Sequence, residues 1–446
     1  MEKIKKVAFI TLGCKVNQYE TNAMAQKFIE KGYTVIEEKE KADIYVINTC
    51  TVTNMSDRKS RQMLRRVKET NPNAIVVAVG CYVQVAKKEL EQIPEIDIIL
   101  GNNEKADIVT YVENYIKDNI KKAEIDDVLH KTDFVEFGDI TFTEKTRAVI
   151  KVQDGCDRFC SYCIIPYARG RVRSRRPEHI ISEVKAIAQK GIKEIIITGI
   201  HIASYGKDFK NGYVLIDLLE ELNKIEGIKR IRLGSLEPLL ITQEFMERLV
   251  KLDKICHHFH LSLQSGCDET LKRMNRRYNT LQFKEIVELL RKYYKDVILT
   301  TDIIVGFPQE TEEEFTQTYK FLEEIKFYKM HIFKYSQRKG TKAAIMPNQI
   351  DGNIKEERSK KLIELSDKNQ LEYNQKYCNQ KVEVLFEEEK EGIYYGHTEN
   401  YLLVTCKTTE NLENKIKTVT CQKAYIEHIE AEIWNYSKKY FIIKYC

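Results

Sequence analysis

The sequence predicts an α/β fold in three parts: an open parallel sheet, a partial (βα)6 barrel and a small antiparallel β-barrel. Three observations lead there. Short apolar runs alternate with charged helical stretches from the amino terminus to about residue 116. The alternation resumes near residue 146 and continues for six βα units. Beyond about residue 375, short stretches of β-branched and aromatic residues take over, with no competing helical spacing.

In the first part, residues 1–116, the apolar runs 7–12, 44–48, 75–80 and 96–100 read as buried strands. Between them, residues 23–31, 56–69 and 83–92 have helix-forming composition, which implies helices on both faces of the sheet. Residues 117–145 are polar and irregular and read as a linker. In residues 146–372 the candidate strands are 148–153, 194–198, 229–233, 257–261, 297–303 and 329–333, separated by helices such as 177–190 and 311–325. Six units are two short of a closed eight-stranded barrel, so an open barrel is expected, with its working face at the carboxyl ends of the strands. In residues 375–440, the stretches 381–386, 394–397, 401–406, 418–421 and 424–433 read as the strands of the small β-barrel.

Composition narrows the function classes. A chain of 446 residues with 43% hydrophobic and 31% charged residues is not collagen-like or largely disordered. A net charge of +5 excludes a histone-like binder but allows a local basic patch. The runs 7–12 and 195–198 are too short to span a bilayer, and six apolar residues are too few for a signal peptide, so a cytoplasmic protein is expected. Neither a P-loop nor a G-x-G-x-x-G fingerprint is present, so nucleotide hydrolysis and dinucleotide binding lack support.

Twelve cysteines in a reducing compartment point to metal or catalysis where they cluster. Cys256, Cys267, Cys378, Cys406, Cys421 and Cys446 are scattered and read as free thiols. Cys156, Cys160 and Cys163 form a C-x3-C-x2-C triplet directly after the first barrel strand. Three thiolates on one loop hold three corners of a [4Fe–4S] cube and leave the fourth iron open, whereas structural zinc wants four ligands. Cys14, Cys50 and Cys81 are 36 and 31 residues apart, about one βα unit each time, and each follows an apolar strand. A parallel sheet therefore brings them to its carboxyl edge, where ligands bind. Three sulfurs at one edge make a second three-ligand cluster site.

The triplet, with aromatic Tyr162 before its last cysteine, resembles the radical S-adenosylmethionine family. The resemblance implies a (βα)6 barrel and S-adenosylmethionine bound to the open iron and cleaved by a reducing electron. It also implies cofactor contacts at Tyr162, Gly199, Ser235, Glu237, Gln264 and Asp302. Together with the three-cysteine sheet domain and the small β domain, the chain resembles the methylthiotransferases along nearly its whole length. That resemblance puts the auxiliary cluster on Cys14, Cys50 and Cys81, and the radical cluster on Cys156, Cys160 and Cys163. It implies a TRAM-like β-barrel that grips RNA, and an electron donor of flavodoxin or ferredoxin type. The run Leu12-Gly-Cys-Lys-Val-Asn-Gln-Tyr-Glu-Thr21 resembles the branch acting on N6-threonylcarbamoyladenosine next to the tRNA anticodon. The branch acting on isopentenyladenosine typically reads Gly-Cys-Gln-Met-Asn there, and the branch acting on a ribosomal-protein aspartate carries Asp-Ser at Glu20-Thr21. The acidic run 387–389 departs from what an RNA grip is expected to carry.

Charge supports RNA as partner. Residues 145–176 hold nine Lys/Arg and two Asp, a local +7 against +5 for the whole chain. Arg169, Arg171, Arg173, Arg175 and Arg176 follow the cluster loop and are expected to meet phosphates flanking a splayed-out base. The rival readings are the two other methylthiotransferase substrates, a non-catalytic RNA-binding protein with zinc at both cysteine sets, and an iron–sulfur electron carrier.

Overall fold

Parallel strands need a crossover of a dozen or more residues, and the helices of the first part supply it. The computed structural model describes residues 5–143 and 146–433; Lys145, Cys446 and the end of the third expected domain, residues 434–440, lie outside them. Six parallel strands form the first sheet in the order β2-β1-β3-β4-β5-β6: β1 (Lys6–Thr11), β2 (Thr34–Ile36), β3 (Ile44–Thr49), β4 (Ile75–Gly80), β5 (Ile98–Leu100) and β6 (Lys122–Glu124). Every residue of β3 and β5 is buried, as continuous apolar runs require of strands covered on both faces. Helix α1 (Lys15–Glu30) starts eight residues earlier than its charged stretch suggests, because Val16 and Tyr19 are buried in its first turns.

The expected linker is more structured than its polarity implies. It opens with β6, which pairs with β5, and then lays Phe137 and Ile140 into the core of the sheet domain. Gln26 on α1 accepts the backbone N–H groups of Thr141 (2.8 Å) and Phe142 (3.1 Å) and so straps the segment down.

The second part is the open barrel. Its strands are β7 (Arg147–Asp154), β8 (Arg173–Ser174), β9 (Glu194–Gly199), β10 (Arg230–Leu233), β11 (His258–Gln264), β12 (Ile298–Val305) and β13 (Lys329–Lys334). The six parallel strands are β7, β9 to β13, in two sheets joined by the bridges Ile231–Ile255 and Leu236–Leu261; β8 pairs antiparallel with β7. Helix α1 of the first part packs against β7 and β9.

A helix, Gly352–Lys376, leads to the third part, a closed barrel of β14 (Lys381–Lys390), β15 (Ile393–Thr398), β16 (Leu403–Lys407), β17 (Ile416–Ala424) and β18 (Ile429–Ile433). Four of its pairings are antiparallel as expected, but β16 and β18 run parallel. This module caps the amino ends of the open barrel's strands. Arg230 and Arg232 donate to the carbonyls of His397 (2.9 Å) and Glu399 (2.9 Å), and Tyr401 stacks between His258 (4.4 Å) and His397 (4.7 Å). The acidic run is engaged internally: Glu387 pairs with Arg147 (2.8 Å), Glu388 with Lys390 (2.9 Å), and Glu389 accepts from the Gly392 N–H. No helix among the described residues is long and apolar enough to cross a membrane.

Candidate active site

Gly155 sets the shape of the cysteine loop. Its φ is +71°, and a Cβ there would lie 1.8 Å from the carbonyl oxygen of Arg171, so the chain turns sharply after β7 only with glycine. Cys156, Cys160 and Cys163 follow, half-buried, before the short helix Ile165–Arg169. The loop is tied to the opposite rim by Ser161, whose hydroxyl donates to the Arg273 carbonyl (2.7 Å) and whose N–H donates to Met274 (3.0 Å). Two sulfurs receive N–H donors, Cys156 from the Arg158 backbone (3.4 Å) and Cys160 from Arg276 (3.3 Å).

The second set assembles at the sheet edge. Cys50 and Cys81 immediately follow β3 and β4, and Cys14 lies three residues beyond the neighbouring β1. Gly13 gives Cys50 its room: a Cβ there would sit 2.9 Å from the Cys50 sulfur. The Cys81 sulfur accepts from the Arg169 Nε at 3.0 Å.

Neither set has the compact spacing of a single-ion site among the described residues, and both suit a larger iron–sulfur group. Burial pushes Cys156 and Cys50 up to about 11 and Cys163 up to about 12, and it raises Cys14 as well. Such thiols become thiolates only when a cationic metal centre takes up the charge. A single tetrahedral zinc needs sulfurs about 3.8 Å apart. Among the described residues, the one group of three Cys, His or acidic residues with ligand atoms within 4.8 Å of one another is His260, Asp302 and His331, and neither cysteine set qualifies.

Behind the sheet-edge cysteines lies a buried charge network that joins the first two parts. Glu20 accepts from Lys105 (2.5 Å), Lys151 (2.8 Å) and Arg169, and Asp154 accepts from Lys151 (2.6 Å). Arg169 also donates to Asn17 (2.6 Å). Burial alone would raise both carboxyls, but the surrounding cations hold Glu20 well below its ordinary range and Asp154 at about 2.

This network corrects the expectation for the arginine run. Arg169, Arg173 and Arg175 are at most 1% exposed and cannot reach RNA phosphates. Arg173 donates to Asn103 (3.0 Å) and to the Arg169 carbonyl (2.8 Å), and Arg175 pairs with Glu183 (2.8 Å) and Glu136 (2.9 Å). The run's basic charge offsets acids buried at the junction of the two parts. Arg171 and Arg176 remain exposed, with Arg171 3.3 Å from Asp157.

Two cavities open at this junction. One of about 470 Å³ is lined by Cys14 and Cys50 from the sheet edge, by Tyr162 and Cys163 from the loop, and by Gln264 and Asp302. The other, about 630 Å³, runs through the open barrel past Cys14, Gly199, Ser235 and Asp302. Cys14 and Asp302 border both. Of the expected cofactor contacts, Glu237 alone borders neither cavity; its carboxylate accepts from Arg276 (2.8 Å), the same guanidinium that reaches Cys160. Arg276, Glu20 and Lys151 are site residues that sequence reasoning missed. Glu20 lay in the run 12–21, and Lys151 was visible as a charge inside an apolar strand; Arg276 gave no local signal.

Residues 150–322 match the model described as the radical SAM superfamily, and residues 6–101 match the model described as uncharacterized protein family UPF0004. The threonylcarbamoyladenosine tRNA methylthiotransferase MtaB of Bacillus subtilis (strain 168) is 43% identical, over 96% of this chain and 96% of its own. The tRNA-2-methylthio-N(6)-dimethylallyladenosine synthase of Caldicellulosiruptor saccharolyticus is 35% identical, over 97% and 93%. Among solved structures, the radical S-adenosylmethionine methyltransferase TsrM of Kitasatospora setae, with cobalamin and a [4Fe–4S] cluster bound, superimposes with a TM-score of 0.54 at 15% identity, covering 77% of each chain.

Proposed function

The chain belongs to the methylthiotransferases of the radical SAM superfamily, and from that premise we propose how its three parts share one reaction. It converts N6-threonylcarbamoyladenosine in tRNA to the 2-methylthio nucleoside, using two [4Fe–4S] clusters and S-adenosylmethionine. Bound there, these groups supply the radical that removes hydrogen from the base and the sulfur and methyl group that replace it. The observation that carries the reading is the cavity of about 470 Å³ bordered by cysteines of both sets.

In this reading Cys156, Cys160 and Cys163 hold the radical cluster, and Cys14, Cys50 and Cys81 hold the auxiliary one. Arg276, Arg169 and the Arg158 N–H offset thiolate charge at Cys160, Cys81 and Cys156. Tyr162, Gln264 and Asp302 in the smaller cavity, with Gly199, Ser235 and Glu237 at the carboxyl ends of the barrel strands, would border S-adenosylmethionine, and the larger cavity would admit the target nucleoside. Residues 1–116, 146–372 and 375–440 act as sheet domain, radical core and TRAM-like RNA-binding barrel, joined by the segment 117–145. The internal pairing of Glu387, Glu388 and Glu389 supports the RNA role, because it leaves that acidic run satisfied by the protein. The reaction takes electrons from a one-electron donor of flavodoxin or ferredoxin type in the cytoplasm, where tRNA is processed.

Mass spectrometry of tRNA nucleosides from cells with and without the gene tests the assignment. The 2-methylthio form of N6-threonylcarbamoyladenosine should vanish while the unmethylthiolated nucleoside accumulates. Loss of 2-methylthio-isopentenyladenosine instead would transfer the protein to the other tRNA branch.

A further inference from the structure

The larger cavity has donors without acceptors. Lys15 and Lys329 border it, and neither ammonium forms a hydrogen bond or ion pair with any described residue. His331 lines the same cavity, so the two lysines and this ring share one wall. His258, 6% exposed, has its Nε2 3.0 Å from the Thr300 hydroxyl, while its Nδ1 is buried without a partner. The first turn of α1, a helix of 16 residues, also faces this space through Lys15 and Val16; it has no side-chain cap and no acidic residue. The helix dipole and the first-turn N–H groups other than that of Asn17, which is directed at Cys14, favour an anion there. The acidic groups of the wall are Asp302, 3.2 Å from His260, and the exposed Glu427; neither lies within ion-pair distance of either lysine.

A buried ring nitrogen left without a partner is costly, and two ammonium groups that border one cavity, Lys15 exposed and Lys329 half-buried, repel each other. Both costs are relieved by an anionic ligand. A cavity of about 630 Å³ holds a purine with an amino-acid-sized substituent. The threonylcarbamoyl group has what the wall lacks: one carboxylate, ionised at neutral pH, plus a urea carbonyl and a hydroxyl. We propose that Lys15 and Lys329, with the uncapped first turn of α1, bind the carboxylate of the threonylcarbamoyl substituent and so select this nucleoside, with His258 serving its neutral polar groups. The proposal rests on the substrate reading above. It also gives Lys15 a role distinct from that of its neighbour Cys14: one residue reads the substituent, and the other borders the junction of the two cavities.

The test is equilibrium binding of anticodon stem-loops to the anaerobic holoenzyme without reductant, so that no turnover intervenes. Three stem-loops are compared: one with threonylcarbamoyladenosine, one with its carboxylate as the methyl ester, and one with plain adenosine. Wild type should bind the acid about 10- to 100-fold more tightly than the ester, the range expected for charge-assisted hydrogen bonds. Lys15→Gln and Lys329→Gln should each reduce that ratio at least several-fold without changing affinity for plain adenosine, and Lys15→Arg should retain most of it. The ester arm needs no variant, so it decides the matter even if a substitution disturbs folding. Equal binding of acid and ester by wild type, with both still preferred over plain adenosine, overturns the carboxylate subsite and leaves the substrate reading standing. Equal binding of all three stem-loops overturns both.

Discussion

The two cysteine sets reach the same junction by opposite routes. Cys156, Cys160 and Cys163 are placed by eight consecutive residues and one obligatory glycine, Gly155. Cys14, Cys50 and Cys81 come from three strands of a sheet, and the donor to Cys81 is Arg169, a residue of the neighbouring barrel part. The first set is local in sequence and is held within one part of the chain, by Arg273, Met274 and Arg276, whereas the second depends on the interface between two parts. A change at the interface should therefore damage the sheet-edge set selectively, and a change in the loop backbone should do the reverse.

The most severe test replaces the cysteines themselves. Alanine at any one of Cys156, Cys160 or Cys163 should abolish reductive cleavage of S-adenosylmethionine and lower iron from about eight to about four per chain. Alanine at Cys14, Cys50 and Cys81 together should lower iron equally, retain 5′-deoxyadenosine formation and yield no methylthio product. Full iron content in the triple variant would reduce those cysteines to core thiols.

Smaller changes sharpen the contrast. Gly155→Ala puts a Cβ against the Arg171 carbonyl, so the loop must move and radical-cluster iron should be lost first. Arg169→Met removes the Cys81 donor and leaves Glu20 and Asp154 short of a cation. Breaking such a buried pair costs about 3–5 kcal/mol. It should lower the melting temperature and the occupancy of the sheet-edge site before that of the loop site. Iron counts on anaerobically reconstituted variants, read beside 5′-deoxyadenosine formation, separate the two patterns.

Legibility in the sequence follows the same division. The loop triplet could be read from spacing alone, and the sheet-edge set could be inferred because its cysteines follow strands whose apolar runs are continuous. The partial barrel was equally legible: its six parallel strands begin and end within three residues of the expected positions. The expected linker was less so, since β6 and the buried Phe137 and Ile140 are held by the sheet domain rather than by any local pattern. The arginine run misled for a physical reason. Composition records charge but not its partners, and Glu20, Asp154 and Glu183 that neutralise Arg169 and Arg175 are distant in sequence or hidden in apolar stretches. Arg276 was invisible because its two partners, Glu237 and Cys160, meet only in three dimensions.

A charge pair at the amino ends of the barrel strands, on the far side of Lys15 from the loop set, offers a third perturbation. Glu194 pairs with Arg232 (2.7 Å) at the floor of the barrel, where the small β-barrel docks. Burial would raise its carboxyl, but Arg232, Arg147 and Arg230 hold it below the ordinary value. A depressed carboxyl contributes its stability above its unfolded value of about 4.3, and that stability is lost as pH falls through the folded value. Melting temperature should thus fall on acidification below about pH 4, and Glu194→Gln should weaken that dependence. At neutral pH the variant should melt lower yet retain both clusters in wild-type proportion. Selective loss of either cluster would mean that the floor communicates with the sites.

The smallest effect concerns the arginines still available to RNA. With Arg169, Arg173 and Arg175 buried, only Arg171 and Arg176 of the run can contact phosphate. Each phosphate contact contributes about one unit to the salt slope of binding and carries no base information. Replacing both exposed arginines with Gln should raise the tRNA dissociation constant modestly and lower the salt slope by up to about two units, with the acid-over-ester preference unchanged. The paired variant Arg173→Gln with Arg175→Gln should behave differently, because Glu183 and Glu136 then lose their partner inside the protein. Its melting temperature should fall, while the salt slope of whatever folded protein remains stays at the wild-type value. A lowered slope with unchanged stability in that buried pair would show that both side chains turn outward when RNA binds, and the division between interface and surface arginines would have to be redrawn.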